Sequence, residues 1–100
     1  MIRHVVLWRL KAPAAGESRE AVCARIKAAL EAQAGRIPGL MRLEAGLNFS
    51  ASRRAVDFAL VSEFESREAL AAYHRHPAHA ETRAIVDPLV AEHWIVDYES

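Results

Sequence analysis

Residues 73–79, YHRHPAH, place three histidines, a tyrosine and a proline in seven positions, and His4 stands near the start of the chain. Imidazole changes charge between about pH 5 and 8, so it serves either as a metal ligand or as a proton carrier. Spacing separates these two chemistries. Two zinc ligands on one helix stand three or four residues apart, which puts both rings on one face. His74 and His76 are two apart, while His76 and His79 are three apart but straddle Pro77. The stretch offers no cysteine and no acidic third ligand. No metal site is expected, and His74 and His76 are read as solvent-facing and capping residues.

Proton chemistry fits better. The residue before a proline avoids the helical region, so His76 should end one helix and Pro77 should open the next. His79 then falls in the first turn of the new helix. Burial and the positive end of the helix dipole both disfavour imidazolium there. A neutral imidazole is a general base. Tyr73, in the last turn of the preceding helix, can bring its hydroxyl to the same place. His4 sits mid-strand on a face shared with Val6, Trp8 and Leu10, either as part of this site or as a hydrogen-bonded structural residue. Asp97, in the last strand, is the carboxylate available to orient one of these rings, or else a surface group. Val6, Trp8, Phe58 and Leu60 are the expected apolar lining, and Trp8 and Phe58 are large enough to fill the cleft instead. An open cleft of this kind suits proton abstraction next to a carbonyl, with no cofactor and no metal.

These residues need elements to hold them. Residues 2–11 alternate, with Ile2, His4, Val6, Trp8 and Leu10 on one face and Val5 and Leu7 on the other, as in a strand with apolar groups on both sides. A helix is expected over about residues 18 to 35, where Val22, Ile26, Ala29, Leu30 and Ala34 recur at helical spacing. Gly35 and IPGL stop it. A second strand is expected over roughly 40 to 49, with Met41, Leu43, Ala45, Leu47 and Phe49 together on one side. After the polar turn SASRR, the segment AVDFALVSEF reads as a third strand, with Val56, Phe58, Leu60, Ser62 and Phe64 on one face. Ser66 should cap a short helix to about residue 75, and the Pro77 helix should run to about 91 through Pro88. HWIVDY closes the chain as a strand. The order βαββαβ is an α+β, ferredoxin-like plan with an antiparallel four-stranded sheet.

Helices cover only one face of such a sheet. Val5, Leu7, Ala59 and Val61 on the other face need a second cover, and an identical sheet from another copy is the simplest. A homodimer through the open sheet face is therefore expected.

Composition narrows the partners. One hundred residues make one domain, residues 1–100, and thirteen basic side chains balance thirteen acidic ones. This balance argues against nucleic acid and anionic membranes as partners. The strand order also builds RNA-recognition domains, but those need a basic, glycine-bearing third strand. Here that strand carries Asp57 and Glu63 and no glycine. No apolar run is long enough to span a bilayer, and the opening MIRHVVLWRLK is too short and charged for a signal peptide. A single cysteine, Cys23, points to the reducing cytoplasm. Its helical, apolar neighbours give no reason for an activated thiol. Asn48-Phe49-Ser50 matches a glycosylation sequon that such a location leaves unused.

Several segments together, namely IRHVVLWRLK, IPGL with GLNFS, ALVSEFESREALAAYHRHPAH and WIVDYE, resemble the stress-responsive A/B barrel (Dabb) family across essentially the whole chain. The most specific piece is Y-x-x-H-P-x-H. The resemblance implies a ferredoxin-like subunit that dimerises into an α+β barrel. One plant member of the family is a polyketide cyclase that promotes an aldol condensation without cofactor. Its catalytic tyrosine and histidine match Tyr73 and His79, and its pocket histidine matches His4. The cyclase lines its pocket with aromatics from the first helix, where this chain has AVCARIKAAL and none. Two functions stay open: binding or proton transfer on a small apolar carbonyl or polyketide-like molecule, and a non-catalytic dimeric accessory role with structural histidines.

Overall fold

The period-two pattern at the start of the chain becomes an inner strand of an antiparallel sheet. The computed structural model describes residues 1–100. Its elements are β1 (Ile2–Leu10), α1 (Arg19–Glu31), β2 (Leu40–Leu47), β3 (Phe58–Phe64), α2 (Arg67–His74), α3 (Pro77–Val86) and β4 (Val90–Glu99). The strand order is β2-β3-β1-β4, the ferredoxin-like arrangement. β1 pairs with β3 through Val6↔Leu60 and with β4 through Val6↔Ile95, so these three residues share one row of the sheet. No helix is long and apolar enough to cross a membrane.

The helices bury one face of the sheet in two apolar clusters. One gathers Val6, Trp8, Ile26, Leu30, Phe58 and Leu60, and the other Ile2, Ile37, Phe64, Leu70, Tyr73 and Ala78. Between them runs a polar row. His4 pairs with Ser62 across the β1–β3 ladder, and both are buried. The Ser62 hydroxyl donates to the His4 carbonyl at 3.2 Å.

Local chemistry sets the element ends. Ser18 caps α1 and Ser66 caps α2, each Oγ accepting a backbone N–H of the first turn at 3.0 Å. His76 caps α3 in the same way, its Nδ1 accepting from the Ala78 N–H at 3.0 Å. Gly39 has φ of +81°, and a Cβ there would meet the Ala69 Cβ at 2.5 Å. Only glycine lets β2 start this close to α2.

Four expectations about boundaries change. α1 stops at Glu31, so Ala34 is exposed and Gln33 is the buried residue of the turn that follows. α3 stops at Val86 rather than near residue 91, because Pro88 has no N–H and its ring clashes with the preceding turn. The chain closes there in a 3₁₀ turn, Asp87–Leu89, and β4 starts at Val90. A bulge between Leu40 and Arg42 breaks the alternation in β2. Met41 turns outward there, while Phe49 lies beyond the strand end and is fully exposed. β3 begins at Phe58, not residue 55, because Asp57 ties the strand entrance to other elements. Its carboxylate accepts from the Leu10 N–H at 2.8 Å and from Arg19 Nε at 2.9 Å. The Asn48 amide donates to the Val56 carbonyl at 2.6 Å, a structural use of the sequon asparagine.

Candidate functional site

A cavity of about 250 Å³ opens beside the polar row, between α2, α3 and the β1–β4 half of the sheet. Three elements supply its polar end: β1 brings His4, the last turn of α2 brings Tyr73 and His74, and the first turn of α3 brings His79. The break at Pro77 folds the second helix back, so that residues six apart in sequence face each other. The Tyr73 and His79 rings stand 4.6 Å apart between centroids. His4 lies 6.4 Å from Tyr73 and 5.6 Å from His74. Val6, Trp8, Leu30, Leu60, Val86 and Ile95 form the apolar wall.

Each expected residue has a definite place. His4, Tyr73 and His79 converge on the cavity, and Val6, Trp8 and Leu60 line it. Phe58 does not: it is buried in the core beside Trp8, with ring centroids 6.0 Å apart. Neither large aromatic fills the space. Asp97 pairs with His4 across the β1–β4 ladder, and its Oδ1 lies 2.5 Å from His4 Nδ1. That contact fixes the ring and leaves Nε2 as the other nitrogen. His76 is a helix cap.

His74 and His93 were missed as site residues. His74, expected in solvent, is exposed yet forms part of the cavity rim, 5.4 Å from His79. His93, Arg83 and Asp87 complete the rim. Arg83 and Asp87 pair with each other at 3.0 Å. His93 has the same strand parity as Asp97, and this parity was the available signal for its orientation. No three His, Cys, Asp or Glu side chains are arranged to hold a metal ion.

Electrostatics assign the protonation states. Burial pushes His79 below the ordinary histidine value, and the neighbouring His74 adds to the effect. The helix dipole had been expected as a cause, but the first turn is largely satisfied. Pro77 has no N–H, Ala78 is capped by His76, and the His79 N–H reaches the His76 carbonyl at 3.0 Å. The His74 backbone partly opposes the His79 shift, and a neutral imidazole carries a lone pair on one ring nitrogen. Burial lowers His74 as well, with His4 second. Burial raises the Tyr73 phenol, partly offset by the polar Gln33 side chain. At neutral pH the polar end therefore holds neutral His74 and His79 imidazoles beside a protonated Tyr73 phenol. Cys23 lies in the core, where burial pushes its thiol up.

A family model described as the stress responsive A/B barrel domain matches residues 2–100. This chain belongs to that family. An uncharacterized Streptomyces coelicolor protein is 35% identical to this A/B barrel domain over 100 residues, covering 99% of both chains. Among solved structures, a dimeric ferredoxin-like protein of unknown function from Bacteroides fragilis superposes with a TM-score of 0.86 at 29% identity. The match covers 99% of this chain and 95% of that one. A hydroxynitrile lyase from Passiflora edulis has a TM-score of 0.79 at 19% identity, covering 97% of this A/B barrel domain and 90% of the lyase. At that identity the likeness shows a shared fold.

Proposed function

We propose that this A/B barrel domain binds a small apolar carbonyl compound in the cavity and moves a proton at the carbon next to its carbonyl. The observation that carries the reading is the neutral His79 imidazole and the protonated Tyr73 phenol, with rings 4.6 Å apart, at the polar end of an apolar cavity. In the step, the His79 lone pair takes the proton from the carbon. The electrons of the broken C–H bond form the enolate C=C bond, and Tyr73 donates a hydrogen bond to the oxygen as charge develops. His4, held by Asp97, offers its Nε2 to the same ligand. Val6, Trp8 and Leu60 pack against the ligand's apolar body.

Size limits the ligand. An apolar cavity of about 150 Å³ holds benzene, so about 250 Å³ suits one ring with a short acyl chain. An aldol closure of a short polyketide begins with the same proton abstraction. The working unit in this reading is a homodimer, supported by the apolar open sheet face and by the dimeric Bacteroides relative. A second reading, a non-catalytic dimeric accessory protein, draws on His76 as a cap and on the His4–Asp97 pair as structure.

The test uses acetophenone. NMR of the imidazoles should show His79 and His4 responding to it, and deuterium should exchange into its methyl group faster than in buffer. Tyr73→Phe or His79→Ala should slow the exchange about 10²-fold or more, the usual range for one general acid or base. If no imidazole responds and no exchange exceeds the background, the cavity reading is wrong and the accessory role stands.

A further inference from the structure

The stripe of α3 that lines the cavity runs His79, Thr82, Arg83 and Val86, at the three- and four-residue spacing of one helix face. One end of the stripe is the proton-transfer corner, and the other carries a cation. Arg83 stands one turn beyond His79, about 6 Å of helix rise toward the rim. Its guanidinium is held there by Asp87, whose Oδ2 accepts from Nε at 3.0 Å and pairs with Nη2 at 3.0 Å. A guanidinium carries five N–H donors, so a single carboxylate oxygen leaves most of them unused. His93 brings a ring donor to the same rim from β4, where it pairs with Trp8 of the cavity wall.

Helix stability does not account for the Arg83–Asp87 pair. Both side chains are more than half exposed, where an ion pair contributes little. A basic residue four before an acidic one is the less favourable order on a helix. Asp87 also lies at the C-terminal end of α3, where the dipole disfavours an anion. What the pair does is fix an arginine fork at the cavity rim with donors to spare. Such a fork matches a carboxylate in both geometry and charge.

We propose that the rim is an anion subsite, in which Arg83 and His93 take the carboxylate of a ligand whose carbonyl lies at Tyr73 and His79. The ligand class is then a keto acid with a flat apolar body, its two polar groups about one benzene ring apart. This narrows the carbonyl ligand proposed above and rests on that placement. After burial, the chief cause, the Arg83 charge also lowers the proton affinity of His79 and His74. A bound carboxylate offsets that charge, so His79 becomes a stronger base when such a ligand is present.

4-Acetylbenzoate and 4-acetylbenzamide are close in shape and differ by one charge, so their affinities, read by NMR of the imidazoles and by calorimetry, test the subsite. At low salt the benzoate should bind about 10-fold more tightly than the amide, the usual effect of a hydrogen bond to a charged group. The advantage should shrink in about 1 M salt. Arg83→Gln should bring the two affinities together, and Arg83→Lys, which keeps the charge without the fork, should retain part of the difference. Arg36→Gln removes an equal charge from an exposed pair with Glu81 outside the cavity and should leave the difference in place. Equal affinities in the wild-type chain would overturn the proposal. So would a difference that survives Arg83→Gln, or one that Arg36→Gln removes as fully. Acetophenone binding without any carboxylate preference would remove the anion subsite and leave the cavity reading standing. A preference that depends on Arg83, with no exchange of the methyl hydrogens, would keep the subsite and remove the proton transfer proposed above. If none of the three compounds binds, both fall.

Discussion

Keeping His79 and His74 neutral inside the fold makes stability depend on pH. Both titrate below the ordinary value of 6.5 in the folded chain, so the unfolded chain binds more protons in mild acid. Their contribution is complete above 6.5 and is lost as the pH falls through the lowered folded values. The urea midpoint should therefore drop between about pH 7 and pH 5, and His79→Gln should flatten that slope. A slope as steep in the variant as in the wild type would remove His79 as its source. Tyr73 behaves oppositely, since burial raises its phenol from 10.0. Its contribution is present below that value and is lost as the pH rises through the folded one. Tyr73 and His79 were legible as a pair because Pro77 marks a helix break without any tertiary information. His74 was not, since neither the helical register nor the cap rule says which side of a one-turn corner the cavity opens on.

The corner works because two short helices are fixed independently at their ends. α2 is only eight residues long, too short to hold together without tertiary support. It is held by the Ser66 cap and by close packing at Gly39. Gly39→Ala forces a left-handed residue to carry a Cβ and drives that Cβ into Ala69. It should cost about 2–4 kcal/mol by urea unfolding, from conformational strain plus overpacking. Because α2 carries Tyr73, the same change should shift the His79 resonances while leaving those of the exposed loop at Ser50–Arg54 in place. Gly39→Ala with wild-type stability would refute the packing argument. The bulge at Met41 was invisible to alternation counting, since a strand of apolar and polar residues looks regular until its partner shows where one residue is skipped.

At the scale of the molecule, the uncovered face of the sheet is its largest unmet demand. Val5 and Leu7 on β1, Ala59 and Val61 on β3, and Trp94, Val96 and Tyr98 on β4 lie in adjacent rows of that face. Leu7, Trp94, Val96 and Tyr98 are exposed in the single chain. An apolar surface continuous over three strands marks an interaction site, and a second copy would bury it with matching chemistry. Leu7→Glu should convert a dimer to monomer in sedimentation, because it places an unpaired charge in the middle of the apolar layer. A dimer unchanged by Leu7→Glu would place any self-association elsewhere. β4 pairs only with β1 and is exposed along nearly all its length, so a partner on the open face would also steady the strand that carries Asp97, Ile95 and His93.

The sequence by itself determined the element order, the two-faced sheet, the Pro77 corner and the placement of His4 on the helix-covered side. These follow from periodicity, proline geometry and capping, which act between residues close in the chain. Tertiary structure decided what depends on residues distant in sequence. Ile95 and His93 join the cavity only because β4 pairs with β1 in one register. Phe58 leaves the lining because it packs fully into the core beside Trp8. A hydrophobic pattern says which face is inward, but only packing says which inward groups are left with a cavity in front of them.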